Sequence, residues 1–263
     1  MSQNTALTEL YCHNNQLTSL DVSKNTALTI LRCFSNQLTS LDVSQHTALT
    51  ELSCINNPLT ALDASGCLAL TLLECADNQL TSLNVSGCAA LPSLSCSDNQ
   101  LTVLNVSGCT ALTKLECSNN QLTTLDVSDC PVLIVLDCYK NKIKGKAMDA
   151  LVESLPAISN GKMKVIFNSG EQNVMTTTQV ATAKAKGWTP YYYDVRSWRF
   201  YKGSEPVNPS GDLNADGKTD IADAVSILNL MAEGADDSTA DLNGDGKVDI
   251  ADFVSVLNLM AEQ

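Results

Sequence analysis

The sequence predicts an α/β solenoid of stacked repeats that is followed by a small all-α module. Three observations lead to this prediction. A cysteine and an asparagine each recur every 21 residues through the first half of the chain, helical and strand patterns follow them, and an acidic stretch of 12 residues occurs twice near the C-terminus. A fixed period of this length, kept without slippage, is typical of proteins in which each repeat packs only on its neighbours.

Seven copies of the repeat can be aligned on their cysteine and asparagine. The cysteines are Cys12, Cys33, Cys54, Cys75, Cys96, Cys117 and Cys138, and the asparagines are Asn15, Asn36, Asn57, Asn78, Asn99, Asn120 and Asn141. In the first copy Leu10 and Cys12 are two residues apart, so a short strand directs both to one side. An asparagine amide both donates and accepts, so stacked turns predict an asparagine ladder.

A second cysteine series occupies one position in the later repeats. It consists of Cys67, Cys88, Cys109 and Cys130, at the position where earlier repeats carry Asn25 and His46. Neighbouring rungs of such a ladder are about 4.8 Å apart, but parallel side chains do not suit the dihedral angle of a disulfide. We therefore expect reduced core thiols, with disulfides as the alternative, and the cysteine count leaves the cellular compartment open.

The repeat resembles the leucine-rich repeat, L-x-x-L-x-L-x-x-N-x-L, with cysteine in place of the last strand leucine. The resemblance covers roughly residues 5–144 and is nearest to the 21-residue, cysteine-containing repeats of bacterial surface proteins. It implies a solenoid whose outward strand residues form a concave face. The leucine-rich repeat solenoid is accordingly expected over residues 1–144.

The outward strand positions vary from repeat to repeat and are candidates for partner binding. The candidates near the N-terminal end are Tyr11, His13, Ile30, Arg32, Phe34 and Ile55. Of these, Tyr11, Ile30, Phe34 and Ile55 are expected to cluster. They form either an apolar recognition patch or a surface covered by preceding repeats or by another protein, and unselected drift is the third alternative. Glu74 and Glu116 are expected about 10 Å apart, near the upper limit for an inverting glycosidase pair. No surroundings that desolvate either carboxyl are evident, so we expect no catalytic residue.

The period ends after Asn141, and residues 145–201 predict an α/β cap over the last repeat. Its elements are a helix with apolar positions 147, 151 and 155, a strand over 162–167, a helix opened by Thr176–Gln179, and a strand over 190–195. Trp188, Trp198 and the tyrosines are expected as core and rim aromatics rather than as a sugar platform. Residues 202–210 are rich in Pro, Gly and Ser and predict a linker.

The two acidic stretches have the spacing of a calcium loop. Positions 1, 3, 5, 7, 9 and 12 are Asp212, Asn214, Asp216, Lys218, Asp220 and Asp223 in the first loop, and Asp241, Asn243, Asp245, Lys247, Asp249 and Asp252 in the second. Hard, flexible oxygen donors of this kind suit calcium, with the lysine supplying its backbone carbonyl. The sequence therefore predicts two calcium ions.

Each loop leads into one helix and none precedes it, which differs from an EF-hand. Duplicated units of this kind, with Asp at position 12, resemble a type I dockerin over residues 211–263. The resemblance implies a small all-α calcium-binding domain whose protein partner is cohesin-like. It also implies a contact centred on loop positions 10 and 11, here Ile221-Ala222 and Ile250-Ala251. These pairs depart from the polar pairs common in cellulosomal dockerins.

Charge and hydropathy exclude several classes of partner. The net charge of −13 and the pI of about 4.4 argue against nucleic acid and anionic membrane surfaces. No run of about 18 apolar residues predicts a membrane span. Residues 1–5 lack the features of a signal peptide, yet the first repeat has no cap over its apolar end. We therefore expect a targeting segment ahead of residue 1, an extracellular or cell-surface location, and a monomer.

These patterns together predict a non-catalytic interaction protein, in which a solenoid recognises protein or glycan and a calcium-dependent module docks to a partner. Two alternatives stay open: an accessory subunit of a polysaccharide-degrading assembly, and a host-surface adhesin. All residues are already allocated to non-catalytic modules, so any hydrolase activity is expected in a partner.

Overall fold

A computed structural model describes residues 3–167, 171–194, 197–204, 221–233 and 250–261. The chain divides into two compact units, Met1–Ser204 and Glu205–Gln263. The first unit contains the repeats and the cap, and the described part of the second consists of two helices.

The repeats contribute short parallel strands to one long sheet. These are β1 (Glu9–Tyr11), β2 (Ile30–Arg32), β3 (Glu51–Ser53), β5 (Leu72–Glu74), β7 (Ser93–Ser95), β8 (Lys114–Glu116) and β9 (Val135–Asp137). Their register steps by one repeat, as in the pairing of Leu31 with Leu52. Two further strands, β4 (Ala61–Asp63) and β6 (Ser82–Asn84), pair in a second small sheet that the sequence analysis did not anticipate.

The core of the solenoid consists of stacked leucine and cysteine side chains. The central strand leucines from Leu31 to Leu136 are fully buried, and so are the ladder cysteines from Cys33 to Cys138. In the first repeat Leu10 and Cys12 are only half-buried. Each fully buried leucine contributes about 2 kcal/mol through removal of apolar surface from water. The stack of neighbouring repeats thus completes a core that no single repeat contains, as predicted.

From Asn36 onward, each asparagine of the predicted ladder joins its own turn to the preceding repeat. Asn99 shows the pattern: its Nδ2 donates to the carbonyl oxygens of Cys75, Cys96 and Ser97 at 3.0, 3.1 and 3.1 Å. Its Oδ1 accepts from the Leu80 amide at 2.9 Å. A buried amide satisfied in this way stabilises the turn because otherwise orphaned backbone groups gain partners.

The second ladder is made of hydrogen-bond donors as well as apolar groups. The thiols of Cys67 and Cys109 donate to the carbonyl oxygens of Val43 and Val85, 24 residues earlier, at 3.4 and 3.3 Å. Nε2 of His46 lies 3.2 Å from the Val22 carbonyl oxygen in the same geometry. Asn25 Nδ2 donates to the Asn4 carbonyl oxygen at 2.7 Å, so all three residue types found at this position act as donors. All eleven cysteines are free thiols in the structure.

One residue in each turn adopts a left-handed backbone conformation. These residues directly precede the ladder asparagines and are Asn14, Ser35, Asn56, Asp77, Asp98, Asn119 and Lys140, with φ between 52° and 56°. Asparagine and aspartate tolerate this conformation better than other side chains do, so six turns use a short polar residue. Lys140 is the exception in the series.

The cap continues the sheet beyond the last repeat. It contains α1 (Lys146–Ser154), β10 (Gly161–Phe167), α2 (Thr177–Ala185), β11 (Trp188–Asp194) and β12 (Ser197–Phe200). Strand β10 pairs in parallel with β9 and β11, whereas β12 is antiparallel to β11. Helix α2 begins with the predicted cap, in which Thr176 and Gln179 form a reciprocal capping box. Strand β12 was not predicted.

The helix end at Gly187 requires glycine. Its φ is +85°, and a Cβ atom there would lie 1.7 Å from the Ile158 carbonyl oxygen. Trp188, the next residue, is buried, and its Nε1 donates to the Pro156 carbonyl oxygen at 2.9 Å. This tryptophan is therefore a core residue, as expected.

The cap extends slightly further than the expected boundary at residue 201. Ser204 forms a parallel bridge with Thr176. Its amide donates to the Met175 carbonyl oxygen at 3.0 Å, and its own carbonyl accepts from the Thr177 amide at 2.9 Å. Lys202 was expected to begin the linker, but the chain up to Ser204 remains part of the cap because it closes this bridge.

The second unit contains α3 (Ile221–Glu233) and α4 (Ile250–Ala261). The helices pack through a small cluster formed by Ala224, Ile227 and Val256, with Met231 and Phe253 at its margin. None of the helices in the described ranges is long and apolar enough to cross a membrane.

Candidate functional sites

We call the open face the side of the long sheet that carries the outward strand residues. Its middle column is Tyr11, Arg32, Ser53, Glu74, Ser95, Glu116, Asp137 and Lys164. The columns follow directly from strand alternation, since the residue between two outward positions is the buried leucine. The open face has a distinct arrangement at each end.

At the N-terminal end, the predicted residues Tyr11 and Arg32 are in contact. The Arg32 guanidinium carbon lies 5.6 Å from the centre of the Tyr11 ring, and Nη2 bonds to Glu51 Oε2 at 2.7 Å. Tyr11 donates to Glu9 Oε2 at 3.0 Å. The hydrogen bond to Glu9 raises the pKa of Tyr11, and the hydrogen bond to Glu51 raises the pKa of Arg32. Arg32 is therefore a fixed cation on an exposed face.

His13 and Phe34 form a second contact beside this pair. Their rings stack with centroids 4.4 Å apart and an interplanar angle of 12°. Ile30 lies elsewhere, in register between Glu9 and Glu51, and Ile55 follows the end of β3 as a half-buried residue. The expected apolar patch is thus a mixed surface, because Glu9 and Glu51 flank Ile30, and Arg32 lies beside Tyr11.

Glu74 and Glu116 have the expected spacing. Glu74 pairs with Ser95, and Ser95 pairs with Glu116, so two strand spacings, about 10 Å, separate them. Glu116 Oε1 is bonded to Lys114 Nζ at 2.8 Å on its own strand. The glutamate is therefore engaged in a surface ion pair.

Helices α3 and α4 each expose an aliphatic stripe at the spacing of one helix face. The stripe residues are Ile221, Val225 and Leu228 in α3, and Ile250, Val254 and Leu257 in α4. Ile221 and Ile250 are 63% and 59% exposed, although both are large apolar residues. Ala222 is exposed as well, and the side chain of Ala251 lies outside the described residues. The two helices thus present matching apolar surfaces that include the predicted contact positions.

Ten of the twelve expected calcium ligands lie outside the described residues. The two that are described, Asp223 and Asp252, occupy the first turns of α3 and α4. Both side chains are fully buried, at equivalent positions of the two units. A buried carboxylate at the closing position of an all-oxygen donor set fits a calcium ligand, since the cation offsets the cost of burial.

A cluster of aromatic rings covers the C-terminal end of the open face, and the sequence analysis did not predict it. Phe167 stacks on Tyr193 with centroids 4.9 Å apart and an angle of 4°. Tyr139 lies 5.5 Å from Phe167 and 5.0 Å from Trp198. We call Tyr139, Phe167, Tyr193 and Trp198 the aromatic cluster. Trp198 was expected as a rim residue, and the structure places it in this surface, where all four rings are half-buried.

Two lysines lie against the aromatic cluster. Lys140 Nζ is 4.2 Å from the centre of the Phe167 ring, and Lys164 Nζ is 5.3 Å from that of Trp198. Lys164 also bonds to Asp137 Oδ2 at 2.6 Å. Burial raises the pKa of Asp137, although the hydrogen bond from Lys164 acts in the opposite direction. A signal for this site was present in the sequence, because Lys140 breaks a series of short polar turn residues.

Comparison with family models agrees with both resemblances. Residues 5–46 match "Leucine Rich repeats (2 copies)", and residues 210–260 match "Dockerin type I domain". Comparison with curated proteins gives no match.

Solved bacterial structures share the solenoid fold. The functional domain of InlJ from Listeria monocytogenes, described as including a cysteine ladder, is 31% identical, with a TM-score of 0.50 over 73% of this chain and 44% of that one. Internalin inlF from the same species is 21% identical, with a TM-score of 0.59 over 74% of this chain and 58% of that one. A leucine-rich repeat protein from Leptospira interrogans is 22% identical, with a TM-score of 0.50 over 72% and 55%.

The chain spans about half the length of these solved structures. It contains leucine-rich repeats and a type I dockerin segment, and its structural neighbours include bacterial leucine-rich repeat proteins. Leucine-rich repeats mediate protein interaction, and dockerins are protein-binding modules for which calcium binding is expected.

Proposed function

We propose that this chain is a non-catalytic extracellular or cell-surface interaction protein that docks to a protein partner through its C-terminal module in a calcium-dependent way. The observation that carries the proposal is the pair of exposed aliphatic stripes on α3 and α4. A soluble module gains nothing by exposing six large aliphatic residues, so a matching partner surface explains them best.

The chemistry of the stripes defines the partner. Valine, leucine and isoleucine side chains gain free energy by leaving water, and they offer no donor or acceptor to a polar surface. The partner therefore presents an apolar, cohesin-like surface of similar width. The two stripes use the same residue types at the same loop and helix positions, so either helix can make the contact.

Calcium is proposed to hold the contact residues in place. Each loop supplies four aspartates whose mutual repulsion opposes the turn, and one calcium ion per loop replaces that repulsion with ligation. The closing ligands Asp223 and Asp252 lie within two residues of the contact positions Ile221 and Ile250. Two ions thus couple metal binding to the geometry of both stripes.

Affinity capture with stripe variants tests the docking proposal. The full chain is used to capture proteins from the surface fraction of the source cell, with calcium or with chelator. We expect one partner that Val225→Lys and Val254→Lys each retain and that the double variant loses. The matched control is Val103→Lys, because Val103 is 64% exposed in the repeats. Capture that survives both chelator and the double variant contradicts the proposal.

A second candidate function is ligand recognition at the N-terminal end of the open face. This candidate rests on Arg32, whose guanidinium group contacts both the Tyr11 ring and the Glu51 carboxylate. An arginine fixed against an aromatic ring is a common anchor of protein interfaces. Arg32→Ala is expected to abolish binding to a host-surface or cell-wall ligand without affecting docking, whereas Lys24→Ala, which removes a charge outside the strands, leaves both intact.

The identity of the captured partner distinguishes the two alternative roles, a subunit of a polysaccharide-degrading assembly and a host-surface adhesin. A cell-wall or enzyme partner lost in chelator supports membership of a polysaccharide-degrading assembly, and a host protein retained in chelator supports adhesion. We propose no enzymatic activity for the chain itself. Turnover of a polysaccharide that disappears in Glu74→Gln or Glu116→Gln would overturn this part of the proposal.

A further inference from the structure

We propose that the C-terminal end of the open face binds an acidic polysaccharide through the aromatic cluster and Lys140. This site shares no residue with the docking stripes or with the N-terminal patch, so it adds a function to the one proposed above. The ligand class is a polymer of sugar units that carry carboxylates.

Lys140 has a left-handed backbone conformation, which is unusual for lysine. The six equivalent turn residues in the preceding repeats are asparagine, aspartate or serine, which suit a left-handed conformation. Lysine has no local side-chain bond to offset that conformation, yet Lys140 has a φ of 53°. A strained backbone conformation that the surrounding structure maintains often marks a functional site. Unlike the residues in the other six turns, Lys140 carries a positive charge, and its Nζ lies 4.2 Å from the centre of the Phe167 ring.

Glu171 holds this arrangement together from the side of the cap. Its Oε2 accepts from the Lys140 amide at 2.7 Å and from the Phe167 amide at 2.8 Å. Its Oε1 accepts from the Asn173 amide at 2.8 Å. One carboxylate thus ties the last repeat turn to the end of β10. It is a positioning residue, because it fixes the backbone of both the cation and the ring.

The aromatic cluster supplies the surface on which sugar rings stack. Four half-buried rings from four segments lie within 6.3 Å of at least one neighbour, so they form one continuous patch. A further aromatic pair lies two residues along the same two strands from Tyr193 and Trp198: Phe200 is 70% exposed, and its ring centroid is 5.4 Å from that of Tyr191. Pyranose rings expose apolar C–H faces, and such faces pack on aromatic rings whose π-clouds are electron-rich.

A polar cleft adjoins the cluster at Lys140. Its volume is about 400 Å³, and its lining includes Asn119, Gln121, Lys140, Lys142 and Gln172. Lys142 Nζ donates to Gln121 Oε1 at 3.3 Å, so the amide and amine groups are already oriented. Amides match sugar hydroxyls as donors and acceptors, and the two lysines match carboxylates.

Charge distribution favours an acidic ligand. Residues 138–202 contain eleven Lys or Arg and four Asp or Glu, a net charge of +7 in a chain of −13. Of these cations, Lys140, Lys142 and Lys164 lie at the aromatic cluster or the cleft, where positive charge attracts polyanions and raises their rate of encounter. The apolar contacts are aromatic rather than aliphatic, and donors border them, which favours a polysaccharide over an acidic peptide.

Binding to polygalacturonate oligomers tests the assignment, with dextran as the neutral comparison and poly-glutamate as the acidic-peptide comparison. The full chain is titrated in chelator, so that calcium does not crosslink the polymer. We expect Trp198→Ala to weaken binding about tenfold. Lys140→Asn is expected to weaken it by a similar factor while the melting temperature stays level or rises, because asparagine suits the left-handed turn. If Lys140 had only a structural role, Lys140→Asn would not weaken binding while leaving the melting temperature level or raising it.

The matched control is Lys144→Asn, which removes the same charge from an exposed position outside the cluster. It should alter affinity by less than about twofold. No binding of polygalacturonate at millimolar concentration would overturn the proposal, as would equal losses in Lys140→Asn and Lys144→Asn. Tighter binding of poly-glutamate, lost in the same variants, would assign the site to an acidic peptide instead. The stripe variants are expected to bind normally, so this result is independent of docking.

Discussion

Lys164 and Asp137 form an ion pair across β10 and β9, with Nζ 2.6 Å from Oδ2. The pair joins the cap to the last repeat. The Asp137 side chain is 7% exposed and that of Lys164 is 35% exposed, so the two partners differ in their access to water. Loss of the lysine would leave a buried carboxylate without its cation, whereas loss of the aspartate would leave a lysine that reaches solvent.

This asymmetry predicts a pH-dependent effect of Lys164→Met. At pH 7 the variant is expected to lose about 1–2 kcal/mol of unfolding free energy, a value reduced for the partial exposure of the lysine. The raised pKa of Asp137 means that the folded state binds its proton more readily than the unfolded state does. Protonation of Asp137 therefore stabilises the folded state below the ordinary pKa of aspartate. This stabilisation is lost as the pH rises through the raised pKa of Asp137.

Protonated Asp137 needs no cation, so the difference between wild type and Lys164→Met should shrink as pH falls toward 4. Urea unfolding at both pH values measures it. Lys162→Met is the control, because Lys162 is an exposed lysine two residues earlier in β10. A difference that is constant from pH 7 to pH 4 contradicts the assignment of the effect to Asp137.

The asparagine ladder predicts a position-dependent cost of the same substitution. Asn99→Ala removes four hydrogen bonds from a buried turn and is expected to cost about 3 kcal/mol. Asn15→Ala removes two exposed bonds, to Cys12 and His13, and is expected to cost less than about 1 kcal/mol. Denaturant unfolding of both variants provides the comparison. Equal costs would show that the ladder does not couple adjacent repeats.

The cysteine ladders predict thiols that are reduced but slow to react. Burial raises the pKa of Cys33 and Cys75 to about 12 and that of Cys67 to about 11, so few thiolates exist at neutral pH. Cys12 is half-buried and should react first in the folded chain. Denaturation without reductant should release all eleven thiols to a titrating reagent. Six or fewer free thiols would contradict the reduced ladder.

The repeats were the most predictable part of the molecule because identical constraints recur in each of them. The ladder positions of Asn99 and Cys67 follow from periodicity alone, and so does the equivalence of His46 with the later cysteines. The donor role of those thiols did not follow, since it depends on a carbonyl 24 residues earlier that only the stacked structure brings close.

Contacts across the cap were less predictable. The Lys140–Phe167 contact and the bonds of Glu171 depend on how β10 pairs with the last repeat, and sequence periodicity carries no information on that pairing. Strand β12 was missed because it follows β11 closely and has no alternating pattern. In α3, periodicity identifies the spacing of Ile221 and Val225 but does not tell whether that face is buried or exposed.

The calcium loops predict one ion for each intact loop. Asp216→Ala and Asp245→Ala are each expected to reduce the calorimetric stoichiometry of the full chain from two to one, because each removes the position 5 ligand. Affinity is expected within the wide range of about 10⁻⁷ to 10⁻³ M known for such loops. Asp236→Ala, outside both loops, should keep two ions. A stoichiometry near zero in wild type, or a preference for magnesium, contradicts the loop assignment.

We infer that a calcium-independent solenoid carries a calcium-dependent docking module. Hydrogen–deuterium exchange of the full chain, with calcium and with chelator, tests it most directly. Calcium should slow exchange in peptides from residues 211–263, which include both aliphatic stripes, and should leave peptides from residues 5–201 unchanged. Unchanged exchange in residues 211–263, or equal protection throughout the repeats, would contradict the claim.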